Sequence, residues 1–137
     1  MISPTEVDEF VAGRYPALAG SGVTCEALEE GRALVRWKLD EEQLRPGGYI
    51  SGLTQSALAD AALWFVKFSH IGLKEMAVTA DLHISFLRPA TGGDLYARAR
   101  SVSVGARTIR GTVDLWMGMD PNRLVSHAVG SYAIPTS

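Results

Sequence analysis

The chain has 137 residues, a formal net charge of −2 and one cysteine. This length accommodates a single domain, expected over residues 1–137, and the small negative charge gives no reason to expect a nucleic-acid or anionic-membrane partner. A lone Cys25 excludes an intrachain disulfide and a thiolate metal cluster within one chain. Neither a signal peptide nor a membrane span is apparent, so we expect a cytoplasmic protein. Ten of the thirteen basic residues are arginine, which favours an anionic small-molecule ligand.

The first forty residues predict a helix followed by a hairpin. Ser3-Pro4-Thr5-Glu6 has the pattern of a capping box with proline in the first turn, and the helix is expected to run to about Arg14, because Pro16 prevents its continuation. Residues 23–28 and 32–39 alternate in polarity around a turn that contains Gly31, which is typical of a β-hairpin. A charged, glycine-rich loop over residues 40–48 follows.

A long helix is predicted from Ser51 or Gly52 to Ser69. Its apolar residues spread around most of its circumference, so we expect it to be buried nearly all round; they are Leu53, Ala57, Leu58, Ala61, Ala62, Trp64, Phe65 and Phe68. Asp60 is the only charged side chain between Arg45 and Lys67. Burying a carboxylate costs on the order of several kcal/mol unless it is compensated. Asp60 therefore either has a functional role or hydrogen-bonds a neighbouring loop.

The second half predicts four antiparallel strands arranged as a meander. The first, over residues 76–86, has apolar side chains at even positions and polar side chains at most odd ones. The others cover residues 94–104, 107–117 and 123–134, separated by turns rich in glycine, proline, aspartate and asparagine. A hairpin, one buried helix and four long strands predict an α+β arrangement in which a curved sheet wraps the helix.

Several segments together resemble the hotdog-fold acyl-CoA thioesterases of the phenylacetate-degradation type. They are Ile50-Ser51-Gly52 with Ala57-Leu58-Ala59-Asp60, the strand Val78 to Ala90, Gly93-Asp94-Leu95, and Ser126 to Tyr132, within residues 45–134. The resemblance implies a hotdog fold with a short N-terminal helix and a homo-oligomer, a dimer within a tetramer. It also implies hydrolysis of a small aromatic or medium-chain acyl-CoA, with no metal and no cofactor apart from the coenzyme A of the substrate.

The resemblance makes Asp60 the catalytic carboxylate, as nucleophile or as general base for water, and makes the Gly52 backbone N–H the group that polarises the thioester carbonyl. A helix N-terminus supplies free N–H groups and a favourable dipole for a developing oxyanion. Eight residues of helix place Gly52 about 12 Å from Asp60 along the axis, too far to flank one carbonyl carbon. One site is therefore expected to combine Gly52 of one subunit with Asp60 of another.

The chain departs from the family at the start of the helix. Ser51-Gly52-Leu53 stands where the family has His-Gly-Gly, and Arg45-Pro46 lies where relatives carry Asn or Gln. Ser51 either donates a hydrogen bond to the substrate in place of the histidine or serves as the helix N-cap. Gly48, next to Gly47, either lets the loop approach a ligand or relieves a tight turn.

Further candidates for substrate binding are Leu53, Tyr49, Trp64, Thr79 and Arg88. Tyr49 and Trp64 either line an acyl pocket or belong to the core. Arg88, with Arg107 and Arg110, either meets the phosphates of coenzyme A or lies on a solvated sheet face. Strict alternation points Thr79 away from the face that bears Val78, so without a bulge it is expected to be a subunit contact.

Two other functions remain open at this point. A non-catalytic hotdog module that binds acyl-CoA is favoured by the missing histidine at Ser51. A hotdog hydratase or dehydratase needs a histidine near the acid. His70, His83 and His127 are scattered and show no metal-ligand spacing, so only proximity of His83 or His127 to Asp60 across the dimer would favour that reaction.

Overall fold

The computed structural model describes residues 2–74 and 77–135, so the predicted start of a strand at Met76 lies outside the described residues. The helices are α1 (Pro4–Arg14), α2 (Pro16–Gly20) and α3 (Gly52–Ile71), with a 3-10 turn at Glu41–Gln43. The strands are β1 (Val23–Glu29), β2 (Arg32–Trp37), β3 (Val78–Phe86), β4 (Leu95–Val104), β5 (Thr108–Met117) and β6 (Leu124–Ala133). The α+β class and the main elements agree with the prediction from sequence.

The six strands form one antiparallel sheet in the order β1-β2-β4-β5-β6-β3. Helix α3 packs across its inner face. The predicted four-strand meander is correct for β4, β5 and β6 and wrong for β3, which pairs with β6 at the sheet edge. Because β2 occupies the other side of β4, the outer side of β6 is the position left for β3.

The N-terminal segment covers one side of α3. Ser3 and Glu6 form the predicted capping box, and Val7 and Val11 are buried. The aromatic rings of Phe10 and Phe68 meet edge to face at 5.6 Å. Pro16 ends α1 as predicted, but it also opens the short α2, since proline is compatible with the first turn of a new helix. The N-terminal helices therefore bring Tyr15 beside α3.

Helix α3 begins at Gly52, as predicted, and ends at Ile71, two residues beyond the predicted end at Ser69. Gly72 takes a φ of 78° at the C-cap, a conformation that glycine adopts without strain. Side chains from Leu58 to Phe68 are buried except that of Asp60. The expectation of burial fails at Leu53, which is 84% exposed, and at Ala57, because both lie on the side of the helix that neither the sheet nor α1 covers.

Two glycines form the contact between α3 and the sheet. Gly111 of β5 and Gly130 of β6 are partners in the strand register, and both lie under the side chain of Leu63. A Cβ on Gly130 would come within 2.7 Å of the Asp81 carbonyl oxygen and 3.1 Å of Leu63 Cδ1. The absence of side chains at this pair thus sets how closely the helix approaches β5 and β6.

Strand β3 is the exposed edge of the sheet and contains a β-bulge. Its pairing with β6 shifts register between Thr79 and Asp81, which breaks the two-residue alternation. Leu82 and Ile84 in the middle of the strand pack partly against the core. The large apolar side chains at its two ends are exposed within the chain, Val78 to 61% and Phe86 to 53%.

Candidate active site

The carboxylate of Asp60 is held through one of its two oxygens. Thr79 Oγ1 donates a hydrogen bond to Asp60 Oδ1 at 2.7 Å, and the Tyr132 hydroxyl donates to the same oxygen at 2.5 Å. The Tyr132 hydroxyl also lies 3.0 Å from the main-chain oxygen of Asp60. Within the described part of the chain no donor reaches Oδ2, so this second oxygen is not engaged.

Tyr132 stays protonated in this position. Burial, followed by the charge of Asp60 and the hydrogen bond to it, raises the pKa of the Tyr132 hydroxyl above its usual value of 10.0. The side chain is only 5% exposed, so the hydroxyl is a fixed donor. A fixed donor on one oxygen sets the orientation of the Asp60 carboxylate.

The β3 bulge brings Thr79 to Asp60. With strict alternation Thr79 would face away from the helix, which was the basis for expecting a subunit contact. The register shift after Thr79 breaks that alternation, and the Thr79 hydroxyl meets the Asp60 carboxylate instead. The expectation of a subunit contact assumed a strand without a bulge, and that condition is not met. A substrate-binding role for Thr79 stays a prediction.

Asp60, Trp64 and Thr79 line one cavity of about 560 Å³. Its other walls come from α2, the loop before it, α3 and the sheet: Tyr15, Leu18, Ala57, Ala61, Ala77, Val78 and Tyr132. The rings of Tyr15 and Trp64 meet edge to face with centroids 6.0 Å apart. The cavity therefore combines one carboxylate with largely apolar and aromatic walls, as small-molecule sites commonly do.

A second cavity of about 570 Å³ lies at the N-terminal end of α3. Tyr49 and Arg88 line it together with Arg45 and Gln55. Trp64, the other aromatic candidate for an acyl pocket, does not line this cavity. Arg88 Nη1 donates to the Leu124 carbonyl at 2.8 Å, which fixes its side chain at the mouth. Gln55 is 4% exposed and its Oε1 accepts no hydrogen bond from the described residues.

The residues at the helix start have mainly structural partners. Ser51 is the N-cap, because its Oγ accepts from the Thr54 N–H at 3.1 Å. Gly48 has a φ of 82° in a turn closed by its N–H on the Arg45 carbonyl at 3.0 Å. A Cβ added at Gly52 would lie 3.0 Å from the Phe86 ring. Leu53 lines neither of the two cavities described above and borders a smaller one of about 240 Å³.

The histidines lie away from Asp60 within the chain. His70 Nε2 lies 3.0 Å from Ser101 Oγ, and His127 Nδ1 lies 2.8 Å from Asp114 Oδ1. His83 is exposed on β3, and none of the three lines the Asp60 cavity. No group of three or more His, Cys, Asp or Glu side chains with metal-binding geometry occurs among residues 2–74 and 77–135.

The two tyrosines of the Asp60 cavity, Tyr15 and Tyr132, were not assigned a role from sequence. Tyr132 lies in a segment that carried the family resemblance, on the buried side of β6 with Ala128 and Gly130. A polar-tipped side chain among such small residues was the available signal. Tyr15 had no comparable signal, because its position depends on α2, which the sequence did not predict.

Comparison with known proteins identifies the family. The profile of the thioesterase superfamily matches residues 47–120. A candidate esterase of Saccharolobus solfataricus is 27% identical over 134 residues, which cover 98% of this chain and 87% of that protein. None of the helices in the described residues is long and apolar enough to cross a membrane.

Solved structures of thioesterases share the fold of this chain. The crystal structure of a candidate thioesterase from Silicibacter sp. TM1040 superposes with a TM-score of 0.88 at 29% identity, covering 99% of this chain and 94% of the other. The phenylacetic acid degradation protein PaaI of Thermus thermophilus shares the fold, with a TM-score of 0.75 at 24% identity over 88% of this chain and 99% of its own. The chain, with its hotdog architecture, belongs to the thioesterase superfamily.

Proposed function

We propose that the protein hydrolyses the thioester of an acyl-CoA that carries a small aromatic or medium-chain acyl group. The observation that carries this proposal is the Asp60 carboxylate, held through Oδ1 by Thr79 and Tyr132 with Oδ2 unengaged, in the wall of a cavity with apolar sides. Membership of the thioesterase superfamily supports the reaction class.

Asp60 acts through Oδ2 in either of two ways. As a nucleophile, Oδ2 attacks the thioester carbon and expels the coenzyme A thiolate, and water then cleaves the resulting anhydride. As a general base, Oδ2 accepts a proton from a water molecule that attacks the same carbon. Both routes consume one water and give the free acid and coenzyme A. Neither requires a metal or a redox cofactor.

The second catalytic element, the Gly52 N–H, comes from another subunit. About 12 Å of helix axis separates Gly52 from Asp60 in one chain, which is too far for both to contact one carbonyl group. The exposed β3 edge, with Val78 and Phe86 uncovered, is the surface through which two chains would pair. The Phe86 ring lies beside Gly52, where an added Cβ would come within 3.0 Å of it, so pairing at this edge brings a second chain close to the helix N-terminus. The active unit is a homodimer, expected within a tetramer.

The two larger cavities divide the substrate between them. Tyr15, Trp64 and the neighbouring apolar walls form the acyl end, which favours flat or unbranched acyl groups. Arg45 and Arg88 border the cavity at the helix N-terminus, where their guanidinium groups are available to the phosphates of coenzyme A. Arg107 and Arg110, the other candidates for this role, line neither cavity.

Two single variants separate the parts of the site. Asp60→Asn removes the ionised oxygen, and thiol release from a panel of acyl-CoAs is expected to fall by about 100-fold or more. Gly52→Pro removes one N–H while keeping a residue that fits the first helical position, after a Ser51 that already has the extended conformation required before proline. Gly52→Ala is the matched control, since it adds a Cβ beside Phe86 but keeps the N–H.

Mixing the two inactive variants tests the shared site. In a heterodimer of Asp60→Asn and Gly52→Pro chains, one of the two sites receives an intact Gly52 and an intact Asp60. After subunit exchange about a quarter of the wild-type activity should return, because half of the dimers are mixed and each has one intact site. Absence of recovery in exchanged, correctly assembled protein would contradict the shared site.

The rival is a non-catalytic module that binds acyl-CoA, which the serine at the family histidine position favours. Binding of acyl-CoA without turnover by the folded wild-type dimer would establish it. Turnover that depends on Asp60 would exclude it.

A further inference from the structure

The outer face of the sheet, opposite α3, carries a pocket that the proposed hydrolysis does not use. It has a volume of about 550 Å³ and is lined by Arg32, Arg98, Arg100, Thr112, Asp114 and His127. Arg98 and Arg100 alternate along β4 with Ala97 and Ala99, which are fully buried on the side of α3. The arginines therefore lie on the face of the sheet away from the helix that carries Asp60.

The arginines of this pocket lack the acidic partners that usually accompany such a cluster. Arg32 stands directly opposite Arg100 in the register of β2 and β4, and like charges in that position destabilise a sheet. Within residues 2–74 and 77–135 none of Arg32, Arg98 and Arg100 forms an ion pair with a carboxylate.

The carboxylate that lines the pocket, Asp114, faces a histidine of the same pocket. Asp114 is opposite Arg98 in the register of β4 and β5, but its Oδ1 lies 2.8 Å from His127 Nδ1. The Arg98 guanidinium instead lies over the ring of Trp116, 4.8 Å from its centroid. The neighbouring Arg36, by contrast, is paired with Glu26 at 3.0 Å. The contrast shows that the sheet surface can supply partners, and that it does not do so at the pocket.

We propose that this outer-face pocket binds the phosphate or diphosphate group of a small ligand, at a site separate from the Asp60 cavity. Three guanidinium groups around one pocket match the several oxygens of a phosphoanion, which planar forked donors bind in a bidentate manner. Thr112 adds a hydroxyl donor at the pocket wall. A bound phosphoanion would also neutralise the opposed Arg32 and Arg100. The proposal does not depend on the reaction assigned to Asp60.

The test uses inorganic pyrophosphate, titrated calorimetrically into the full-length protein at constant ionic strength. We expect saturable binding with one site per chain. Arg32→Gln and Arg100→Gln should each weaken pyrophosphate binding by about tenfold or more. Arg100→Lys keeps the positive charge but loses the planar guanidinium, so its affinity should lie between those of the wild type and Arg100→Gln. Arg110→Gln is the matched control, an exposed arginine on β5 outside the pocket. Asp60→Asn should bind as the wild type does.

Two results would overturn the proposal. One is affinity unchanged by Arg32→Gln and Arg100→Gln in folded protein. The other is an equal loss in Arg110→Gln, which would show a diffuse charge effect. Parallel titrations of coenzyme A and of inorganic phosphate into the Asp60→Asn protein identify the source. A coenzyme A binding component that Arg100→Gln removes assigns the pocket to a nucleotide phosphate, whereas binding of inorganic phosphate alone assigns it to the free ion.

Discussion

Replacing Tyr132 by phenylalanine tests whether the held carboxylate matters for catalysis. The change removes the hydroxyl that lies 2.5 Å from Asp60 Oδ1 and keeps the ring that lines the cavity. A hydrogen bond to a charged group contributes about 1.5–3 kcal/mol, which corresponds to a fall in kcat/KM of about 10- to 100-fold if the bond orients Asp60 in the transition state. KM should change little, because the apolar walls are retained.

The assay is thiol release followed over a range of acyl-CoA concentrations, which separates kcat from KM. A lost orienting contact should lower kcat and leave KM nearly unchanged, whereas loosened packing of the cavity walls would raise KM as well. Tyr96→Phe, which removes a hydroxyl on the outer face of the sheet, is the matched control. A folded Tyr132→Phe protein with wild-type kcat and KM would refute a positioning role for Tyr132.

Two further predictions concern the core. Gly130→Ala should lower the free energy of unfolding by about 1–3 kcal/mol in urea titrations, because the added Cβ meets the Asp81 carbonyl and Leu63. The control Gly105→Ala, whose Cβ would make only an ordinary 3.6 Å contact, should leave the free energy of unfolding nearly unchanged. Equal effects of the two variants would contradict the close approach of α3 to β6 at Gly130. Burial, together with the charges of Asp8 and Glu26, raises the pKa of the Cys25 thiol from 9.0 to about 12. At pH 8 the folded protein should therefore react with a disulfide reagent about a thousandfold more slowly than the unfolded chain, and comparable rates would disprove the shift. Because the folded-state pKa is the higher one, the stability linked to Cys25 is complete below pH 9.0 and is lost as the pH rises towards about 12, so Cys25→Ala should show a shallower alkaline decline.

The sequence was sufficient to predict the long helix and the six strands, and it singled out Asp60 as a candidate. Asp60 stood out because it was the one charge in a long apolar segment, and the structure places it at the wall of a cavity. The start of α3 could also be predicted, since Ser51 has the residue type and position of an N-cap. In each case local chemistry decided the outcome.

What the sequence could not give depended on contacts between distant segments. The orientation of Thr79 follows from a bulge in the pairing of β3 with β6, and a bulge leaves no mark in the alternation of one strand. The role of Tyr132 depends on the distance between α3 and β6, which the glycine pair under Leu63 controls. The place of β3 at the edge depends on β2 having paired with β4.

The exposed edge of β3 makes a single, unpaired chain prone to aggregation. It presents unpaired main-chain groups and apolar side chains along nine residues, and it carries no lysine or proline that would discourage a foreign strand. Its one acidic residue, Asp81, already accepts a hydrogen bond from Ser131. Until such an edge is covered it can template fibrillar association with any extended segment nearby. In the homodimer proposed above, pairing of the two chains would cover this edge and remove that template.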